Sequence, residues 1–272
     1  MTSTDLNTFV TFAYLASAVI YLIAFVAAKS KSQFMQWAFR LVVVICAVHG
    51  ASILYRWYES YQLGVGHAPL SNLYESLVFF AWTIVVALIV VRTAFHADFV
   101  IVAGLPIAFI IMASTFLIDS SIRPLIPALQ SNWLVAHVVT CFLGYAGFTA
   151  SFIAAVMFLL ALTSPHMAQH LPPRKLLDEI VYRSVVIGFS LLSVGIITGA
   201  AWADHAWGSY WSWDPKETWS LITWMVYAAF LHARLARGWS GHRTAVLSVV
   251  GFLCVLFTYF GVNYLPGLHS YF

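Results

Sequence analysis

The chain is 272 residues long, 62% hydrophobic and only 8% charged, with a mean hydropathy of +0.87. A soluble domain carries about a quarter charged residues, so this composition excludes a soluble globular protein and places most of the chain in lipid. The formal net charge of +3 is small and dispersed, which excludes a nucleic-acid-binding surface and leaves charge informative for topology only.

Apolar runs fall, in chain order, at Leu6–Ala28, Trp37–Tyr55, Leu73–Val91, Phe99–Ile118, Leu134–Leu162, Ser184–Ala203, Pro215–Leu235 and Thr244–Val262. A membrane barrel would show short alternating strands, so the runs are predicted to be helices. The expectation is an all-α polytopic membrane protein of about eight spans, forming a single transmembrane domain over residues 1–272. The first run lacks a basic leader and a small-residue cleavage site, and it reads as a retained helix, not a signal peptide. The fifth is long enough to tilt or to extend past the bilayer.

Basic residues set the predicted orientation. Lys29, Lys31, Arg40, Arg92, Arg174, Lys175, Arg183, Arg234, Arg237 and Arg243 flank one side, and only Arg56, Arg123 and Lys216 flank the other. The richer side is expected to be cytoplasmic, which with eight spans leaves both termini external. A tryptophan-rich segment at about 202–219, between helices 6 and 7, is then external. So are the stretches around His67 and Asp119 and the C-terminal NYLPGLHSYF.

Cys46, Cys141 and Cys254 all fall inside apolar runs without a CxxC, so they read as small buried residues and not as redox or zinc groups. No P-loop, GxSxG or HExxH is present. His166 and His170 share an i,i+4 spacing, but Pro165, Pro172 and Pro173 argue against a helix there, and a solvated loop is the plainer reading.

WADHAWGSYWSWDPKETWSLITW places six of the eleven tryptophans between Trp202 and Trp224. An interfacial aromatic belt explains one or two at a helix end. It does not explain Trp207, Trp211 and Trp213 gathered with Gly208, Ser209 and Tyr210, which together read as a platform for a flat ligand. Asp214, Pro215 and Glu217 carry the signature of a helix start, with Asp214 as N-cap, and that cap fixes the backbone bearing Trp211 and Trp213. His137, four residues beyond Trp133, and His269, behind the last helix, share the external side with this segment. His232 lies 18 residues after Asp214, about 27 Å along a helix and close to the opposite boundary. His49 falls near mid-depth, where a helix-to-helix hydrogen bond competes with a functional role. Imidazoles at two depths beside aromatic surface suit a carrier of a flat, iron-containing ring.

WGSYWSWDPKETW resembles the tryptophan-rich signature of haem-handling cytochrome c assembly proteins. Its WDPKE continuation is similar to the CcsA (ResC-type) branch of the System II cytochrome c synthase. GHAPLSNLYESLVFFAW, SNWLVAHVVTCFLGYAGF and NYLPGLHSYF extend the resemblance over most of the chain, in order. The resemblance implies haem b as bound ligand and substrate. Its iron would be held by His137 and His269 externally and by His232 within the membrane, with Trp207, Trp211, Trp213 and Asp214 around the external ring. It also implies a CcsB (ResB-type) membrane partner and an apocytochrome c CxxCH segment as acceptor, with thioether ligation as the chemistry. The setting would be the bacterial cytoplasmic or thylakoid membrane, with the active face extracytoplasmic. A CcmC-like haem exporter subunit and a HemX-like haem-binding regulator are the rival readings. A secondary transporter would show paired repeats and charged or broken helices, which this sequence lacks.

Overall fold

A computed structural model describes residues 2–27, 33–163, 168, 169 and 171–267. Among the described residues there is no strand, and eight long helices carry the fold: α1 (Ser3–Ala27), α2 (Gln33–Gln62), α3 (Leu73–Phe95), α4 (Asp98–Ser114), α5 (Asn132–Thr163), α6 (Arg174–Trp207), α7 (Pro215–Arg237) and α8 (His242–Tyr259). Helices satisfy their backbone polar groups within one segment, which is what a lipid environment demands. Seven of them, α1 to α6 and α8, are long and apolar enough to cross a bilayer. The 23 residues of α7 reach about 34 Å. It is the least apolar of the set, because Lys216 and Glu217 open it and Arg234 and Arg237 close it.

The apolar runs mark the helices correctly but fall well short of two of them, α2 and α6. The second run ends at Tyr55, yet α2 continues to Gln62. Its last turns carry Arg56 and Glu59, which find partners inside the protein. Arg56 Nε lies 2.9 Å from Glu75 Oε1 with both side chains buried, and Glu59 accepts from the Ser3 backbone N–H at 3.1 and 3.0 Å. The sixth run begins at Ser184, but α6 starts ten residues earlier, in a charged segment where Asp178 pairs with Arg234 at 2.8 Å. It also continues to Trp207. The tryptophan-rich segment is therefore loop only between Gly208 and Asp214.

The chain divides into two compact units, residues 1–130 and 131–272. In the first, α1 packs on α2 and α4, and α3 packs on α4 and α2. The packed face of α1 is polar, with Ser3, Asn7, Thr11, Tyr14, Ser17 and Tyr21 all buried. Membrane helices gain little from burying apolar side chains against one another, so hydroxyls and amides supply the contacts. Asn7 Nδ2 donates to the Tyr74 hydroxyl at 3.1 Å, and Tyr21 donates to Asp98 at 2.6 Å. His49 is wholly buried, with Nδ1 2.8 Å from the Tyr14 hydroxyl, so it makes the helix-to-helix bond considered from the sequence.

In the second unit, α6 runs along α5, and α8 packs on α7 and α5. Glycines let α5 and α6 approach. A Cβ added at Gly144 would lie 3.0 Å from the Gly188 carbonyl, and one at Gly188 would lie 2.7 Å from Phe148. Deeper in the unit, Phe148 and Tyr227 stack at 3.6 Å with an interplanar angle of 4°. Tyr227 fits there because position 251 is glycine, where a Cβ would sit 2.6 Å from its ring.

Candidate haem site

His137 stands in the second turn of α5, facing α6. Its Nδ1 lies 2.7 Å from the carbonyl oxygen of Gly195. A carbonyl only accepts, so Nδ1 carries the proton and the imidazole lone pair falls on Nε2. A histidine that donates one ring N–H to a backbone carbonyl is oriented and made more basic for metal binding through the other nitrogen. The ring fits because α6 carries glycine at position 199. A Cβ at Gly199 would lie 2.5 Å from His137 Nδ1 and 2.7 Å from Cε1.

Aromatic surface adjoins that imidazole. Trp202, buried in α6, stacks on His137 with centroids 6.2 Å apart and planes 16° from parallel. Trp207, at the C-terminus of α6, meets Trp202 edge-on at 4.8 Å. A single left-handed residue, Gly208 with φ +75°, then ends the helix, and the Gly208 N–H donates to the Asp204 carbonyl. Trp211 and Trp213 form a second edge-to-face pair at 5.7 Å and 88°. Trp213 is exposed and holds φ +61°, a conformation costly for a residue with a Cβ. The Nε1 of Trp211 is buried and meets no acceptor among the described residues.

The capping box predicted at the start of α7 is present. Asp214 accepts from the Lys216 N–H at 3.0 Å, and Glu217 Oε2 accepts from the N–H groups of Ser212 at 2.8 Å and Asp214 at 3.2 Å. The chain leaving α8 returns to this cap, since a Cβ at Gly267 would lie 2.6 Å from Asp214 Oδ1. His269 follows two residues later and lies outside the described residues, as do His166 and His170.

The predicted residues thus separate into groups. His137 and Trp207 come together through Trp202, which belongs to the site although the sequence reading assigned it no role. Its signal was available: Trp202 and Trp207 fall on the last turns of a helix that the apolar run hides by ending at Ala203. Trp211 and Trp213 pair with each other beside the Asp214 cap. His232 stands apart, exposed and about one and a half turns from the C-terminus of α7 at Arg237.

The donor set suits an iron already held by a macrocycle. Among the described residues no three histidine, cysteine, aspartate or glutamate side chains gather as a cage for a bare ion. A porphyrin-bound iron needs only axial ligands and flat apolar cover, and His137 with the tryptophans offers both.

Comparison with known proteins points the same way. The family described as cytochrome C assembly protein matches residues 70–269. The chain is 42% identical over 263 residues to the cytochrome c biogenesis protein CcsA of Synechococcus sp. (strain CC9902), with 85% of each chain covered. It is 40% identical over 267 residues to CcsA of Prochlorococcus marinus (strain MIT 9313), covering 85% of this chain and 82% of the relative. Against CcsA of Chlamydomonas reinhardtii it is 42% identical over 233 residues, covering 80% of this chain and 64% of the relative. The matched region contains His137, the whole tryptophan segment, His232 and His269, and by it the chain belongs to the cytochrome c assembly protein family, in its CcsA-type branch.

Proposed function

We propose that this chain is the haem-handling membrane subunit of a System II cytochrome c synthase, presenting haem at the outer face for covalent attachment to the CxxCH segment of an apocytochrome c. The observation that supports the reading is His137, whose Nδ1 proton is held by the Gly195 carbonyl, an arrangement that orients the ring for ligation through Nε2 next to Trp202 and Trp207. In this reading α7 is the eighth span, its charges confined to its two ends, and both termini are external.

The residues divide the work by depth. His232, exposed on α7 near its basic end, receives haem b together with a histidine of a CcsB-type partner. His137 and His269 hold the iron from opposite faces at the outer end. Two axial imidazoles fill the open iron positions and suppress reaction with oxygen while the vinyl groups stay exposed. Trp207, Trp211 and Trp213 cover the ring and exclude water, and Asp214 fixes the backbone on which they stand. Each CxxCH thiol then adds across one vinyl group, its sulfur bonding to carbon and its hydrogen passing to the neighbouring carbon. The protein contributes placement, turning a rare encounter of two reactants into a near-intramolecular step.

Coexpression with a CcsB-type partner and a CxxCH reporter separates a synthase subunit from a haem-binding regulator. Covalent holocytochrome forms in the first case. Haem bound to the membrane protein without thioether formation, in cells that supply both partners, identifies a regulator.

A further inference from the structure

We propose that His67 is a proton-controlled latch in the first unit. Charged, it ties the connection that follows α4 to the loop that follows α2; neutral, it lets go. Both of its ring nitrogens face carbonyl oxygens. Nδ1 lies 2.9 Å from the Ala68 oxygen and Nε2 lies 3.1 Å from the Arg123 oxygen. A carbonyl only accepts, so both contacts are hydrogen bonds only when both nitrogens carry protons, which is the imidazolium. A neutral ring has one N–H and one lone pair. The Ala68 contact is the shorter and closes between neighbouring residues, so the remaining proton stays on Nδ1. The Nε2 lone pair is then set against the Arg123 oxygen, and repulsion replaces the bond. The released proton passes to solvent water, and no bond between heavy atoms changes.

The backbone places this ring. His67 is buried, and its N–H donates to Ser60 Oγ at 3.2 Å, which fastens it to the last turn of α2. A helix C-terminus favours a cation. The charged groups on the surrounding elements are engaged with other partners. Arg56 pairs with Glu75, Glu59 accepts from the Ser3 N–H, and Asp119 pairs with Arg123. The Ser121 N–H and hydroxyl, with Arg123, hold the Asp119 carboxyl below its ordinary range, so it stays charged from pH 5 upward. Imidazole is the side chain that ordinarily changes charge between about pH 5 and 8. Arg56 also donates through Nη2 to the Ser120 carbonyl at 3.0 Å. The same connection thus has a fixed tie at Ser120 and, three residues on, a tie that a proton controls. The structural alternative is a neutral His67 that makes one bond at every pH.

The test uses the full chain in detergent, with Cys46, Cys141 and Cys254 replaced by alanine and a nitroxide attached at Ile126→Cys, an exposed position beyond Arg123. Electron paramagnetic resonance line shapes are compared at about pH 5 and about pH 8. With His67 intact the label is expected to be immobile at the lower pH. At the higher pH its mobile population should rise about tenfold, because one charge-assisted hydrogen bond is lost. His67→Phe is expected to be mobile at both. His67→Gln, whose amide donates at either pH, is expected to give one line shape throughout. Should His67→Phe fail to fold, nitrogen-15 NMR of the histidine-labelled wild-type chain carries the test. The signals absent from His67→Gln should report two protonated ring nitrogens at the lower pH and one at the higher. A line shape that does not change with pH while His67 is present overturns the proposal. So does the wild-type transition in His67→Phe, or a His67 ring that is neutral at the lower pH. No readout involves haem, so the outcome is separate from the reading of the tryptophan site.

Discussion

At the scale of single residues, backbone groups decide what the side chains can do. The Gly195 carbonyl selects the tautomer of His137, and the cap at Asp214 sets the direction from which Trp211 and Trp213 leave the chain. Whether Asp214 also touches the ligand is open to a direct test. An amide caps a helix nearly as well as a carboxylate, so Asp214→Asn should leave the unfolding free energy in detergent unchanged to within a few tenths of a kcal/mol, and Asp214→Ala should lower it by about 1 kcal/mol. Haem binding that falls in Asp214→Asn while stability holds would assign the charge a role at the ring. The cap was legible because its chemistry is local: Asp-Pro-x-Glu satisfies backbone donors within four residues. The ring contact of Trp202 was not, because it depends on where α6 ends and on the glycine register of a second helix.

At the scale of elements, the α5–α6 seam is the device that builds the site. Gly144 on α5 and Gly188, Gly195 and Gly199 on α6 keep the contact bare, and His137 occupies the space at its upper end. Gly199→Ala should therefore push the imidazole off the Gly195 carbonyl and lower haem affinity about tenfold, with an overpacking cost of about 1–3 kcal/mol. Gly147→Ala lies further along the same seam, where a Cβ would meet the Ser184 carbonyl at 3.2 Å. It should cost stability without changing the haem spectrum. If both variants alter the spectrum alike, the seam acts through general packing and not through His137. Element positions were readable from apolar runs, since lipid imposes that pattern. Element ends were not, because Arg56, Glu59 and Asp178 are tolerated in helices only through partners distant in sequence.

At the scale of the whole molecule, the sequence makes the class unmistakable, since 62% hydrophobic residues leave no soluble alternative. Orientation rests on the asymmetry of lysine and arginine. A reporter fused after Phe272 should be active outside the cytoplasm, and one inserted near Arg174 should be active inside. The reverse pattern would invert every depth assigned above, and activity of both on the same side would remove α7 from the set of spans.

In this reading His137 ligates haem iron through Nε2, and the absorption spectrum of the protein purified with its partner reports that ligation. The wild-type chain should show a low-spin, bis-imidazole-like spectrum. His137→Ala should lose the outer haem while the protein remains folded, and added imidazole should restore part of the signal by filling the vacated position. A His137→Ala protein with an unchanged spectrum and undiminished haem content would contradict the account.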